Sequence, residues 1–253
     1  MKYETGLDLP QRVQKPRSYG ENMMIEKGMS YDLFQGYIKD YHQAIDYVKF
    51  TSGIGVVDAR IKDKINICTA HQIPTFFGGS LFEKFHLQGK VAEYVAFLRQ
   101  HDIPIVEISN GITEIGLSEI GDAIQLFKKE GFTVFTEIGS KDTDYVMPPS
   151  TWIREINNAL EAGAARLILE GRESGTAGLY RGSGEIRTGL LEEIYNQIDI
   201  KQVIFEAPNK KAQCYLINSF GCNVNLGNLK FEDLNMVEVQ RLGLRYDTFD
   251  VKN

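Results

Sequence analysis

Residues Glu119–Lys141 read EIGDAIQLFKKEGFTVFTEIGSK, and this stretch decides the fold. Ile120, Ala123, Ile124 and Phe127 recur at the spacing of one helix face, and Gly131 supplies the stop. TVFTEI, Thr133–Ile138, is a short run of β-branched and aromatic residues. It carries a charged residue, Glu137, near its end, and a glycine and Lys141 follow. Helix, glycine, short buried strand, charged strand end is the grammar of a parallel α/β sheet with its functional groups at the strands' C-terminal ends.

The same unit recurs on both sides. TWIREINNALEAG (Thr151–Gly163) spaces Trp152, Ile156, Ala159 and Leu160 on one face and precedes RLILE (Arg166–Glu170). FEDLNMVEVQRLG (Phe231–Gly243) repeats the pattern with Leu234, Val237 and Leu242. The remaining strand candidates are MMIE (Met23–Glu26), YVKF (Tyr47–Phe50), TFF (Thr75–Phe77), IVEI (Ile105–Ile108), VIFE (Val203–Glu206) and NVNL (Asn223–Leu226). From Phe50 through Phe77, Glu107, Glu137, Glu170 and Glu206 the strand ends are spaced by 27, 30, 30, 33 and 36 residues. About eight such units fit the chain, and a (β/α)8 barrel takes about 250 residues. The spacing predicts a single (β/α)8 TIM barrel over residues 21–253, preceded by an N-terminal extension, residues 1–20. A doubly wound open sheet is the runner-up, but Lys27-Gly28-Met29-Ser30 after the first strand is not a dinucleotide-binding turn. There is no P-loop pattern either.

Composition narrows the function. The chain has 253 residues, and 28 Lys+Arg against 34 Asp+Glu give a net charge of −6, so nucleic acid is not the expected partner. No apolar run reaches the roughly 18 residues of a membrane span, and the first twenty residues lack a secretory core. Cys68, Cys214 and Cys222 form no C-x-x-C pair, which fits a reducing, cytoplasmic location. A homo-oligomer is the expected assembly.

The barrel reading requires functional groups at the strand ends. Glu26 and Lys27 end the first strand, Lys49 lies in the second, Gly78-Gly79 follows the third, and Glu107, Glu137, Glu170 and Glu206 mark the fourth to seventh. Asn225 lies in the eighth. Charges are unfavourable in buried parallel strands unless paired or bound to metal. Oxygen-only ligands suit Mg2+, which keeps several waters, so one or two of Glu107, Glu137 and Glu170 are expected to hold it. His42, His71, His86 and His101 lie in helical segments, which argues against zinc. The positive candidates are Lys27, Lys49, Lys141, Arg172, Lys210 and Arg245. Glycine-bearing turns after the last two strands place a phosphate near Gly227, Asn228 and Asn209, with Arg172 or Arg245 as further anchors. GRESGTAGLYRGSG (Gly171–Gly184) reads as a loop able to act as a mobile lid. Residues alone therefore indicate a barrel enzyme for a small anionic, phosphorylated substrate with a divalent metal, and they do not name the reaction.

The motif string resembles the phosphosulfolactate synthase family. The resemblance rests on DYVKF (Asp46–Phe50), GGSLFE (Gly78–Glu83), VEISNG (Val106–Gly111), TEIGSK (Thr136–Lys141), LEGRESG (Leu169–Gly175), IFEAPNK (Ile204–Lys210), VNLGN (Val224–Asn228) and GLRYDTF (Gly243–Phe249). It implies Mg2+-dependent addition of sulfite to phosphoenolpyruvate, giving (2R)-2-O-phospho-3-sulfolactate, the step that opens coenzyme M biosynthesis in methanogens and serves sulfolactate production elsewhere. It implies Lys141 as general acid; Lys49, its rival for that role, and Arg172, both read from their positions at the strand ends, complete the catalytic set. Lys27, Glu206, Gly227, Asn228, Asn209 and Arg245 complete the substrate site. A lysine desolvated beside Mg2+ is expected to have a lowered pKa. The chain departs from the family at Ser140, where a second lysine is common, at Asn110, where aspartate is common, and at TSGIG after Phe50, where the family carries a tryptophan-containing turn. Two further readings stay open: a non-catalytic, stress-related relative, and a barrel enzyme joining phosphoenolpyruvate to another nucleophile.

Overall fold

The computed structural model describes residues 6–51, 53–142, 144–172 and 174–251. Eight strands run β1 Asn22–Glu26, β2 Tyr47–Phe50, β3 Thr75–Phe77, β4 Ile105–Ile108, β5 Thr133–Ile138, β6 Arg166–Leu169, β7 Val203–Glu206 and β8 Leu226–Leu229. The helices between and after them are α1 Tyr31–Tyr41, α2 Ile54–Val57, α3 Ile61–Ala70, α4 Gly79–Leu87, α5 Val91–Gln100, α6 Leu117–Lys129, α7 Pro149–Ala162, α8 Thr188–Gln197, α9 Lys210–Phe220 and α10 Leu234–Arg241. Every ladder is parallel, in the order β3-β2-β1-β8-β7-β6-β5-β4. β3 and β4 are adjacent but share no ladder, so the (β/α)8 barrel is nearly closed. No helix among the described residues is long and apolar enough to cross a membrane.

The helices follow their sequence signals. α7 has Pro149 in its first turn, buries Trp152, Ile156 and Ala159 on one stripe, and ends at Gly163 with φ 98°. α6 buries Ile120, Ile124 and Phe127 and stops two residues before Gly131, which has φ 91°. The strands are buried along nearly their whole length, as helices on the outside of a parallel barrel require.

Parity along the strands sorts side chains between the barrel interior and the helix layer. Tyr47, Phe76 and Phe135 point inward, with ring centroids 5.2 Å apart for Tyr47–Phe135 and 5.5 Å for Phe76–Phe135. Lys49 and Glu137 lie two residues further along the same faces as Tyr47 and Phe135. Glu26 falls on the other parity. Ile25 lines the interior cavity, whereas Glu26 meets Lys64 of α3 at 3.1 Å and accepts hydrogen bonds from the backbone N–H groups of Gly28 and Met29. The expectation that Glu26 lines the mouth is therefore corrected by one residue of pleat.

The eighth strand also differs. It runs Leu226–Leu229, three residues beyond the expected NVNL. Glu206 pairs with Gly227 in the ladder, and a Cβ at Gly227 would lie 2.5 Å from Met23 Cε and 2.8 Å from Ile204 Cγ2. The interior accepts only glycine there, which sets the register. Asn225 precedes the strand and is used structurally: its amide donates to the carbonyls of Lys201 and Val203, and its Oδ1 accepts from Glu21 N–H.

Residues 7–20 carry no helix or strand and close the barrel end opposite the mouth. Arg12 donates to both oxygens of Glu238, at 3.1 and 3.0 Å, and to the carbonyls of Cys222 and Gly20. Arg17 pairs with Asp46 at 2.6 Å. Burial alone would raise the Glu238 carboxyl, but Arg12, helped by Arg241 and Asn22, holds it down at about 2. A carboxyl depressed on folding contributes stability that is present above its unfolded value and lost as pH falls through the folded one. The wild type should therefore lose about 3 kcal/mol between about pH 4.5 and pH 2 through this group. Glu238→Gln should remove that part of the acid limb and be less stable at pH 7. Urea unfolding across this pH range checks it; an unchanged acid limb in the variant rejects the account.

Candidate active site

A cavity of about 440 Å³ opens at the C-terminal ends of the strands. Its charged lining is Lys49, Glu107, Glu137, Lys141, Glu170, Glu206 and, at the exposed rim, Arg172. Lys49 Nζ stands 2.9 Å from Glu107, 2.7 Å from Glu137 and 3.4 Å from Glu206. Lys141 pairs with the other oxygen of Glu137 and with Glu170 at 3.0 Å. The four carboxylates lie in or directly after four consecutive strands, β4 to β7, and the two ammonium groups are interleaved between them.

Backbone donors fix the rest. Gly79 N–H, at the start of α4, donates to Glu107 at 2.5 Å, and Gly171 N–H donates to Glu206 at 2.9 Å. Arg172 N–H donates to Glu170. A Cβ at Gly79 would meet Ser109 Oγ at 2.4 Å, so glycine lets the helix start approach β4 this closely. Arg172 and Asn228 both have φ near +50°, at 52° and 51°, and both line the cavity. Backbone strain in non-glycine residues at a cleft marks positions held for function. Asn228 Oδ1 is buried with no hydrogen-bond partner.

The electrostatics follow from four buried carboxylates facing two lysines. Burial, opposed by Lys49 and reinforced by Glu137, pushes Glu107 up to about 7. Burial and Glu170 push Glu206 well above the carboxylate range, and burial and Glu137 raise Glu170. Glu137 goes the other way: burial disfavours its charge, but Lys141 and Lys49 together hold it well below the ordinary value. Burial would lower both lysines, yet the carboxylates outweigh it. Glu107, Glu137 and Glu206 raise Lys49, and Glu137 and Glu170 raise Lys141. The expected lowering for Lys141 is thereby reversed, because its neighbours are two anions.

The other sequence candidates lie apart from this layer. Gly227 is an internal packing residue. Asn209 caps α9, accepting from Ala212 N–H at 3.0 Å. Arg245 lies near Asp247 at 3.8 Å, as does Lys210 at 2.5 Å, away from the cavity. Lys27 lines a neighbouring recess with Lys230, and Ile25 is common to both. The stretch Gly171–Gly184, of which Glu173 lies outside the described residues, is tied down more than a free lid would be. Leu179 N–H donates to Glu170 O at 2.8 Å, and Tyr180 OH donates to Glu206 O at 2.6 Å. Among the described residues no histidine or cysteine lines the cavity.

Sequence reasoning missed Thr51, Ser80, Ile112 and Ser174 in the lining, and Glu83 behind it. The only signal was GGSLFE itself, where an acidic residue interrupts an apolar helix face. The departure at Asn110 has a structural use. Its side chain donates to Ile115 O at 2.8 Å and accepts from Ile115 N–H at 2.7 Å, which an aspartate cannot do in both directions.

Metal fit rests on the donor set. Glu107 Oε2 and Glu170 Oε2 are buried and within ion-pair range of the lysines, but neither is aligned as a hydrogen-bond acceptor. Among the described residues no group of three or more His, Cys, Asp or Glu is gathered into a ready-made metal cluster. The four carboxylates outnumber the two lysines that they share, so the residues suit a hard divalent cation held by one or two of them and otherwise by water.

The family model described as (2R)-phospho-3-sulfolactate synthase (ComA) matches residues 10–247. A phosphosulfolactate synthase of Bacillus subtilis is 40% identical over 246 residues, covering 96% of this chain and 97% of that protein. One from Methanocaldococcus jannaschii is 38% identical over 235 residues, covering 91% and 94%. Among solved structures, the YdjI aldolase of Escherichia coli K12 aligns with a TM-score of 0.60 at 10% identity, covering 88% of this chain and 80% of that one; this likeness concerns the fold alone.

Proposed function

Because the chain belongs to the phosphosulfolactate synthase family of enzymes, we propose that it adds sulfite to phosphoenolpyruvate with Mg2+, giving (2R)-2-O-phospho-3-sulfolactate. The observation that carries the reading is the buried layer of Lys49, Glu107, Glu137, Lys141, Glu170 and Glu206, set above an aromatic floor at the barrel mouth. A protein retained only for a non-catalytic role has no use for four desolvated carboxylates, since each unpaired charge in such a layer costs stability.

The chemistry asks three things of the protein. Sulfite sulfur forms a bond to the methylene carbon of the enol phosphate. The alkene electrons move into the carboxylate, and the carbon bearing the phosphate then takes a proton on one face. Lys49, fixed by three glutamates, and Lys141 present positive charge where the substrate's carboxylate gains electron density. Arg172 and Asn228 stand at the cavity wall to receive the phosphate. Lys141 is protonated in the resting site and is the proton donor. Bound Mg2+, held by one or two of Glu107, Glu137 and Glu170, would supply Lewis-acid stabilisation of the substrate carboxylate and, by balancing Glu137 and Glu170, ease release of the Lys141 proton. The floor of Tyr47, Phe76 and Phe135 excludes water from below, which strengthens each of these interactions.

Incubation with phosphoenolpyruvate, sulfite and Mg2+, followed by mass spectrometry, should show phosphosulfolactate. Exhaustive chelation should abolish turnover, and Mg2+ or Mn2+ should restore it. Turnover of phosphoenolpyruvate with another nucleophile but not with sulfite would replace the reading, and full activity after chelation would remove the metal from it.

A further inference from the structure

Behind the cavity wall stands a buried carboxylate that the chemistry leaves unused, Glu83 on α4, only 1% exposed. Among the described residues it accepts five hydrogen bonds, and they come from one segment, the turn after β4. Its Oε1 takes the Ser109 hydroxyl and Gly111 N–H at 3.1 Å. Its Oε2 takes Ile112 N–H at 2.9 Å, Thr113 N–H at 2.8 Å and the Thr113 hydroxyl at 2.8 Å. Three successive backbone N–H groups around one anion make a nest, and an ionised acceptor binds such donors about twice as strongly as a neutral one. Asn110 closes the same turn from the other side through Ile115.

The turn so held is the wall against which Lys141 lies. A Cβ on Gly111 would stand 3.1 Å from Lys141 Nζ and 3.2 Å from its Cγ and Cδ. The lysine shaft therefore runs along bare backbone, with no room between. On its far side the ammonium meets Glu137 and Glu170. The side chain is still 29% exposed, so burial alone does not immobilise it.

We propose that Glu83 is a positioning residue for Lys141. By pinning Gly111–Thr113 it sets the wall that keeps the ammonium on Glu137 and Glu170 and aims its proton at one face of the substrate. The geometric claim stands on the contacts; its consequence for turnover rests on the reading of Lys141 as the acid.

Two variants test it from opposite sides. Glu83→Gln keeps one acceptor oxygen but turns an NH2 group toward donors, releasing part of the turn. Gly111→Ala leaves Glu83 in place and pushes the new methyl against Lys141. Reductive methylation with formaldehyde and cyanoborohydride, read peptide by peptide against the exposed Lys62, reports how firmly Lys141 is held. Both variants should methylate Lys141 several-fold faster than the wild type. Both should also lose about ten-fold in kcat at little-changed KM for phosphoenolpyruvate, the scale expected for a displaced catalytic group. Unchanged Lys141 labelling in folded protein of both variants overturns the proposal, whatever happens to turnover. Faster labelling at wild-type kcat upholds the positioning and removes Lys141 from the chemistry. A wild type inactive with sulfite defeats the reading of function while the labelling still decides the role of Glu83.

Discussion

Lys141→Ala is expected to lower kcat by about three orders of magnitude while KM for phosphoenolpyruvate changes only a few-fold. A general acid contributes about 10²–10⁴ to a proton-transfer step. The expected loss falls on kcat because the proton moves only after the carbon–sulfur bond has formed, so the ground-state complex makes little use of it. The site supports this assignment in two ways. Lys141 is the more accessible of the two lysines, with its side chain 29% exposed against 5% for Lys49, and it borders the open part of the cavity. It also stands on two carboxylates, Glu137 and Glu170, whose compensation on substrate and cation binding changes its acidity in the needed direction. In the rival arrangement Lys49 is the acid and Lys141 clamps the substrate. Lys141→Ala then raises KM strongly and leaves kcat near wild type. Steady-state kinetics with phosphoenolpyruvate and sulfite varied separately distinguish the two. Near wild-type turnover at saturating substrate ends the assignment to Lys141.

How far the site was legible depends on which physical signal placed each residue. Glu107, Glu137, Glu170 and Glu206 could be read because a charge inside a buried parallel strand is rare enough to mark itself, and the recurring period put them on one level. Lys49 stood out for the same reason. Glu26 carries the same signal and lies on the helix side, because strand parity turns on a single residue and the start of a five-residue strand is not visible in its composition. The shift of β8 has a similar origin. NVNL alternates like a strand, but steric exclusion by Met23 and Ile204 around Gly227 fixes the register, and that is a property of three strands together. Glu83 left almost no trace, since its partners are backbone N–H groups and hydroxyls of a turn 26 to 30 residues away. The direction of the Lys141 shift was hidden too. It depends on which anions touch the ammonium, and spacing along the chain shows only that anions are present.

Lys49→Met should abolish activity and also change how the protein responds to pH. Methionine matches the volume of the lysine shaft, so the variant removes charge with little cavity. It leaves Glu107, Glu137 and Glu206 without the ammonium they share, and Lys141 reaches only Glu137 and Glu170. Removing one partner of a buried ion pair costs about 3–5 kcal/mol when the remaining charges stay ionised. They can escape that cost by taking up protons. Glu107 is already raised to about 7 and Glu206 is raised further with Lys49 in place, and both must rise again without it. A carboxyl whose folded pKa exceeds its unfolded value stabilises the fold at low pH, and that stability is lost as pH rises through the folded pKa. The variant should thus stand close to wild type near pH 5 and fall behind by about 3–5 kcal/mol near pH 8. Denaturant unfolding at the two pH values measures this directly. A deficit equal at both would mean that Lys49 acts by packing, and no deficit at pH 8 would mean that the carboxylate layer is neutralised by something other than its lysines. The fall on the alkaline side would show why a cation sits within an apolar strand: it offsets the charge of the desolvated glutamates gathered around it at the barrel mouth, where the proposed reaction needs charge.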